Sequence, residues 1–239
     1  MGSEFEALDP AEFLGMDNGS KGRRAGNRPR RRYFLIVSEG TKTEPNYLNA
    51  LRDALPKEMV KRITVVGGRA ETLKLIERAE QEIEERRKTV NPPFYHVWIV
   101  FDRDSFEASR FDTAVSEITR RSSTRTGEHW HAAWSNEAFE LWYLYHFRDE
   151  CGGGIKRDRF KKMLSDHLRG DLHTSHGYHK NATDMFELLD PLMPQAVRRA
   201  RRVHMAWMKK ARKTSTPFHE WNPCTTVYEL VSELLRYRE

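Results

Sequence analysis

The chain contains little cysteine and no long apolar run. Cys151 and Cys224 are its only cysteines among 239 residues, which excludes a disulfide framework and a cysteine-ligated zinc site. No apolar stretch approaches the roughly 18 residues of a membrane span, and the N-terminus lacks the apolar region of a signal peptide. We therefore expect a reducing, cytoplasmic setting without membrane contact.

Acidic residues are absent from two long segments. Residues 21–32 and 198–213 are rich in Lys and Arg but contain no Asp or Glu, and the formal net charge of the chain is +6. Basic clusters attract phosphate backbones, so nucleic-acid contact is favoured over the alternative of a solvated tail and a solvated helix face. We expect this contact from residues of these segments and from Lys180, namely Arg30, Arg31, Arg32, Lys180, Arg198, Arg201, Arg202, Lys209 and Lys210.

The length of the chain fits about one to one and a half domains. Residues 1–32 are rich in Gly, Arg and polar residues and predict a disordered basic arm, whose first residues resemble a remnant of cloning. We expect an α/β core over residues 33–150. A mostly helical C-terminal extension over residues 151–239 is expected to pack on this core.

Short apolar runs alternate with amphipathic segments along the core. The apolar runs predict β-strands over residues 33–37, 62–66, 95–101 and 129–134. The amphipathic segments predict α-helices over residues 43–55, 70–89, 107–121 and 137–147. Thr43 is expected to cap the first of these helices, and Ser135 and Asn136 to cap the last. This order predicts the α/β class, with a parallel sheet, right-handed crossovers and flanking helices.

Carboxylates follow two of the predicted strands. Glu39 comes after the first strand, and Asp102 and Asp104 come after the third. Ligands of open α/β sheets bind beyond the carboxyl ends of the strands, so these acids converge if the two strands are neighbours. Three close carboxylates repel one another unless a cation or protons neutralise them, and Mg²⁺ takes oxygen ligands. The pattern predicts a Mg²⁺ or Mn²⁺ site for phosphoryl chemistry; the alternative is that Asp102 caps the following helix and Asp104 is solvated.

Further polar residues lie beside these strand ends. Lys42 is expected in the loop before the first helix, where it could meet a substrate phosphate. The segment around it lacks the upstream glycine of a P-loop, so nucleotide binding by that route is rejected. Glu137 and Glu140 are expected in the first turns of the fourth helix, as a metal ligand or a base, or simply as acids that favour the helix dipole.

The histidines give a weaker signal. His146 lies on a predicted helix, and we expect it to be packed rather than catalytic. The group His167, His173, His176 and His179 has spacing that suits a transition metal, but no Cys or fixed carboxylate completes it. Phosphate contact or solvent exposure is therefore favoured over zinc binding for this group.

Several motifs, taken in order, resemble those of one family. They are Ile36-Val37-Ser38-Glu39-Gly40-x-Lys42-Thr43-Glu44-Pro45-x-Tyr47, Phe101-Asp102-Arg103-Asp104, Ser135-Asn136-x-x-Phe139-Glu140-Leu141-Trp142 with His146-Phe147, Tyr178-x-Lys180, and Asn222-Pro223-x-Thr225-x-Val227-Tyr228-x-Leu230-Val231. On these motifs the chain resembles the RloB family, a branch of the Toprim-like proteins, from about Tyr33 to its C-terminus. Separate motifs in the right order are far more specific than any one of them.

The resemblance implies a Toprim-like, Rossmann-like sheet with a Glu after the first strand and an Asp-x-Asp pair after a later one. By position, Glu39 is the acid/base or metal-linked glutamate, and Asp102 and Asp104 are the Mg²⁺ ligands. Glu140 fits the later acidic position of the family, and Glu137 fits it less well. The resemblance also implies prokaryotic anti-phage defence by abortive infection, together with an AAA-type ATPase partner, and the chain carries no ATPase motif itself.

These observations predict a metal-dependent endonuclease. The candidate residues are Glu39, Lys42 and Glu140 for catalysis, and Glu39, Asp102, Asp104 and Glu137 for metal binding. The alternative is a Toprim-fold module that binds nucleic acid or the ATPase without cleavage. A phosphatase of the haloacid dehalogenase type is disfavoured because that class carries its Asp-x-Asp motif on the first strand. DNA, RNA and tRNA all stay open as substrates.

Overall fold

The computed structural model describes residues 32–68, 72–103, 107–123, 127–149 and 157–238. Arg30, Arg31 and Asp104 lie outside these ranges, as does the predicted basic arm apart from Arg32. Arg32–Glu239 form one compact unit. No helix within the described ranges is both long and apolar enough to cross a membrane.

A five-stranded sheet, counted over the described residues, lies at the centre of this unit. Its strands are β1 (Phe34–Ser38), β2 (Ile63–Gly67), β3 (His96–Asp102), β4 (His129–Asn136) and β5 (Cys224–Thr225). The spatial order is β2-β1-β3-β4-β5, in which the first four strands run parallel and β5 runs antiparallel to β4. The predicted α/β class is confirmed.

The helices connect and cover the strands. They are α1 (Thr43–Asp53), α2 (Lys57–Val60), α3 (Thr72–Arg87), α4 (Ala108–Ser123), α5 (Glu140–Leu144), α6 (Arg157–Gly170), α7 (Met185–Leu189), α8 (Met193–Thr214) and α9 (Val227–Leu235). Short 3-10 turns occur at Asp190–Leu192 and Phe218–Glu220.

The sheet separates two apolar layers, because successive side chains of a strand point to opposite faces. Phe34 and Ile36 of β1 pack with α1, α5, α6, α8 and α9 on one face. Leu35 and Val37 pack with α3 and α4 on the other face. The C-terminal part contributes to both layers, through α9 on the first and through Trp221 and Cys224 on the second.

The start of α5 differs from the prediction. Strand β4 continues to Asn136, so the helix begins at Glu140 rather than at 137. The Ser135 hydroxyl lies 2.9 Å from Thr225 Oγ1, and Asn136 Nδ2 donates to the His219 carbonyl at 2.8 Å. The two side chains therefore bond to β5, which was not predicted, and to the segment that precedes it. The prediction that they cap the helix is wrong.

The cap of α1 also differs from the prediction. Lys42 occupies the N-cap position without a side-chain capping bond. Thr43, predicted as the cap, is the first residue of the helix, and its hydroxyl donates to the Lys180 carbonyl at 3.0 Å. The Thr43 hydroxyl, which the local sequence predicted to cap the helix, therefore makes a tertiary hydrogen bond instead.

Candidate active site

Strands β1 and β3 are parallel neighbours, with Ser38 in register with Val100. The amide of Glu39 continues the ladder by donating to the Val100 carbonyl at 3.0 Å. The amide of Asp102 donates to Glu39 Oε2 at 3.3 Å. The two strand ends therefore bring Glu39 and Asp102 together, as the sequence predicted.

Two further carboxylates lie within electrostatic reach of this pair. Glu44 is in the first turn of α1, and Glu140 is the first residue of α5. Both are buried, as is Asp102. We call Glu39, Glu44, Asp102 and Glu140 the acidic cluster.

Gly40 leaves room for the carboxylate of Glu44. A Cβ atom at position 40 would overlap both carboxylate oxygens of Glu44. The chain therefore passes closely beneath this side chain, which only glycine permits without displacing it. This contact fixes how the turn after β1 meets the first turn of α1.

Burial and mutual repulsion raise the pKa values in the cluster. Burial raises the pKa of Glu39 to about 7, helped by the charge of Glu44 and opposed by the hydrogen bond from Asp102. Burial raises the pKa of Asp102 well above its usual value, and the charges of Glu44, Glu140 and Glu39 add to this shift. The pKa of Glu44 is raised by burial and then by Glu140. The environment of the cluster thus disfavours the ionised form of these carboxyl groups.

The chemistry of the donors suits a hard divalent cation. Carboxylate and hydroxyl oxygens are the ligands that Mg²⁺ prefers. Ser38, on the same face of the sheet as Phe34 and Ile36, is fully buried, and its hydroxyl has no hydrogen-bond partner among the described residues. In the same part of the chain, no group of three His, Cys, Asp or Glu side chains is arranged to hold a metal ion. The described cluster is therefore oxygen-rich but is not by itself a closed ligand set.

Glu137 and Lys42 make no hydrogen bond or ion pair with the acidic cluster among the described residues. Glu137 is half-buried and precedes α5, and no hydrogen bond or ion pair joins its side chain to the described residues. Lys42 is exposed at the N-cap of α1, and its ammonium group likewise has no ion pair within those ranges. The structure thus brings Glu140 into the cluster and records no contact of Glu137 with it among the described residues.

Tyr178 and Glu44 are site residues that the sequence reasoning missed. The Tyr178 hydroxyl donates to Glu140 Oε1 at 2.8 Å in a buried contact. Both residues occur in the motifs that carry the family resemblance, which was the available signal. Their roles could not be inferred because Glu44 appears as an ordinary helix-start acid and Tyr178 lies 38 residues from its partner.

Within the described ranges the histidines form no group that could hold a metal. His146 is buried, and its Nδ1 lies 3.1 Å from the Trp142 carbonyl, while burial lowers its pKa to about 4. His167 Nδ1 pairs with Asp171 at 2.7 Å, and His176 Nε2 lies 3.2 Å from Asp184. The expectation that His146 is packed is met, and the other pairs are at the surface.

Helix α8 carries the second basic segment. It contains no Asp or Glu over its 22 residues. The exposed side chains include those of Arg198, Arg201, Arg202, Lys209 and Lys210. Arg202 pairs with Asp149 at 3.2 Å, and the Lys210 ammonium lies 4.4 Å from the Trp207 ring centroid. The outer face of α8 is therefore a positively charged surface.

A family model described as RloB-like protein matches residues 34–234. The chain belongs to the RloB-like protein family. The RloB-like match confirms the resemblance inferred from the motifs and includes the acidic cluster, Tyr178 and α8. No curated protein and no solved structure matches this RloB-like chain.

Proposed function

We propose that this RloB-like protein is a Mg²⁺- or Mn²⁺-dependent endonuclease of Toprim type that hydrolyses phosphodiester bonds. The observation that carries the proposal is the buried acidic cluster at the carboxyl ends of β1 and β3, with Asp102 bonded to Glu39 at 3.3 Å. Phosphoryl transfer needs charge compensation and positioning more than covalent chemistry, and such a cluster provides metal ligands at one place. The biological role we propose is prokaryotic anti-phage defence with an AAA-type ATPase partner.

Asp102, Asp104 and Glu39 would hold the metal, with Glu44 and Glu140 beside them. A bound divalent ion polarises the scissile phosphoryl group and lowers the pKa of a coordinated water. Glu39 would accept the proton of the attacking water or help to hold a second ion. Glu140 accepts a hydrogen bond from the Tyr178 hydroxyl, which would hold its carboxylate in place.

Nucleic acid is the proposed substrate because of the charge on α8. All the charged side chains of this helix are basic over its 22 residues, which suits a phosphate backbone. Lys42, exposed at the start of α1, would contact a phosphate nearer the acidic cluster. The choice among DNA, RNA and tRNA depends on the assay below.

A second candidate function is a binding module that does not cleave. It is favoured by one observation, namely that no three acids or histidines of the described chain are arranged to hold a metal. In this case α8 binds nucleic acid, or an acidic partner protein, and the acidic cluster is only a structural feature.

The test is cleavage of labelled plasmid, single-stranded DNA and total tRNA with Mg²⁺ or Mn²⁺. Wild type is compared with Asp102→Asn, Asp104→Ala and the control Asp53→Asn, which removes an exposed acid paired with its neighbour Arg52. Cleavage that is lost in the first two variants and kept in the control supports the nuclease and names its substrate. Cleavage retained in both site variants overturns the site, and binding without any cleavage by wild type favours the binding module.

A further inference from the structure

Residues 174–182 form a segment, which we call the strap, that is fastened to the start of α1. The Thr43 hydroxyl donates to the Lys180 carbonyl at 3.0 Å. One turn later, Asn46 Nδ2 donates to the Ala182 carbonyl at 3.3 Å. Both donors belong to α1, so the second half of the strap is held against the helix that contains Glu44.

The first half of the strap is fastened to α6 and to the acidic cluster. The amide of Tyr178 donates to Ser165 Oγ at 3.0 Å, and the Tyr178 hydroxyl donates to Glu140 Oε1 at 2.8 Å. A Cβ atom on Gly177 would lie 2.7 Å from Ser165 Oγ, so glycine permits this close approach. Tyr178 is itself buried, with 3% of its surface exposed. The strap therefore has a fixed path between two helices.

This path places Lys180 beside the acidic cluster and close to Lys42. Lys180 is exposed, and its ammonium group forms no ion pair with the described residues, yet its charge lowers the pKa of Glu44. Thr43, which bonds to the Lys180 carbonyl, is the chain neighbour of Lys42 at the N-cap. Two solvent-facing lysines from distant parts of the sequence thus stand at one end of α1.

Lysines at this position would reduce the repulsion between the acidic cluster and a phosphate substrate. Carboxylates repel the phosphates that flank the reacting one, and cations at the rim must offset this repulsion. Lys binds phosphate as a compact, mobile point charge. The ammonium groups of Lys180 and Lys42 are suited to this task because they are exposed and unengaged within the described chain.

We infer that the strap is the phosphate-binding element of this site. Its Lys180, together with Lys42, binds a backbone phosphate next to the scissile one, and Tyr178 is the positioning residue. This inference rests on the proposed function, because it names the part of the site that holds the nucleic acid. The alternative is that Lys180 only balances the charge of Glu44.

The experiment compares Lys180→Ala, Lys180→Arg and the control Lys161→Ala, which removes an exposed lysine of α6. Because only the backbone of Lys180 is hydrogen-bonded to Thr43, these changes leave the strap attached. Binding of a fluorescent oligonucleotide of the cleaved class is titrated in EDTA and in Ca²⁺ at several salt concentrations, and KM and kcat are measured in Mg²⁺.

We expect Lys180→Ala to raise Kd and KM about tenfold, as befits one lost charged contact, with kcat within about twofold. The salt slope should fall by about 0.9, and Lys180→Arg should restore most of the affinity. Equal Kd values for Lys180→Ala and Lys161→Ala would overturn the inference while leaving the nuclease intact. If wild type binds no nucleic acid at all, the proposed function fails and this inference fails with it.

Tyr178→Phe supplies the test of positioning, since it removes only the hydroxyl that bonds to Glu140. We expect KM for the nucleic acid to rise several-fold while the far-ultraviolet circular dichroism spectrum stays that of wild type. Unchanged KM and kcat in Tyr178→Phe would show that Tyr178 does not position the strap.

Discussion

The backbone amide of Asp102 donates to the carboxylate of Glu39 at 3.3 Å, across the boundary between β3 and β1. This bond joins the side chain at the end of β1 to the backbone at the end of β3, next to the ladder that pairs the two strands. It also favours the ionised form of Glu39, yet burial outweighs it and the pKa of Glu39 rises to about 7. The site is thus built at an energetic cost, which a cation would offset.

Divalent metal should stabilise the protein through this cluster. A ligand that binds only the folded state adds about 2.7 kcal/mol at a concentration of 100 times Kd. For a chain of this size we expect the Tm to rise by roughly 5–10 °C with saturating Mg²⁺. Differential scanning fluorimetry with Mg²⁺ and then EDTA measures the shift, which Asp102→Asn should reduce strongly and Asp53→Asn should preserve. A wild-type Tm that does not change when Mg²⁺ is added would contradict the proposed site.

Gly40→Ala should impair the site more than the fold. The new methyl group would overlap the carboxylate of Glu44, and overpacking of this kind costs about 1–3 kcal/mol. The Glu44 carboxylate must move to make room, and it belongs to the acidic cluster. We therefore expect nuclease activity to fall at least about tenfold. Gly68→Ala is the matched control, since a Cβ atom there meets no atom within 4 Å. Equal activities of the two variants would show that the position of Glu44 does not matter.

The sequence predicted the sheet well because its signals are local. Each of β1 to β4 is an apolar run, and helices such as α3 carry apolar residues at helical spacing, as in Leu75, Ile76 and Ala79. Strand β5 was missed because it has two residues, Cys224 and Thr225, and forms only through pairing with β4. The later start of α5 has the same origin, since that pairing extends β4 beyond the point where its apolar pattern ends.

The site was predicted in part for a similar reason. Strand order brings Glu39 and Asp102 together, and strand ends are visible in the sequence. The bond between Tyr178 and Glu140 depends on the path of a non-helical segment across α1 and α6, which no periodic pattern encodes. Glu137 was assigned to a helical turn that does not exist, so its expected alignment with Glu140 does not occur.

The basic face of α8 should determine the affinity for nucleic acid. Each lost phosphate contact lowers the slope of log affinity against log salt by about 0.9. The double variant Arg198→Ala with Arg201→Ala should therefore lower this slope by about 2 when both residues contact phosphates. The control, Lys57→Ala with Lys61→Ala, removes the same charge from exposed positions around α2. Fluorescence anisotropy in EDTA measures the slopes of both double variants. Equal slopes would show that the basic face of α8 is solvated and does not contact nucleic acid.

Acid should weaken the fold through a histidine pair at the opposite end of the sheet. His96 Nδ1 lies 3.1 Å from His131 Nε2, which requires one ring to donate and the other to accept. Burial and then the charge of His131 lower the pKa of His96 to about 2, and burial and then His129 lower that of His131 to about 4. The other titratable and charged groups that face His96 include His129, Arg32, Arg236 and Glu233.

The direction of the pH effect follows from these depressed pKa values. In the unfolded chain both histidines take up a proton near pH 6.5, whereas the folded protein resists protonation until about pH 4 for His131 and about pH 2 for His96. The free energy of unfolding should fall as the pH drops below 6.5, by at most about 1.4 kcal/mol per pH unit for each histidine. Glu39 acts in the opposite sense, because its stabilising contribution is present below pH 4.5 and is lost as the pH rises through about 7.

Because these trends oppose each other, the comparison must be between variants. Urea unfolding of wild type and His96→Gln from pH 7 to pH 4 isolates the histidine, since Glu39 is common to both. The stability advantage of wild type over His96→Gln should shrink by up to about 1.4 kcal/mol per pH unit below pH 6.5. The control is His179→Gln, which removes an exposed histidine outside this pair. A constant difference for His96→Gln would mean that His96 is protonated as readily in the folded protein as in the unfolded chain.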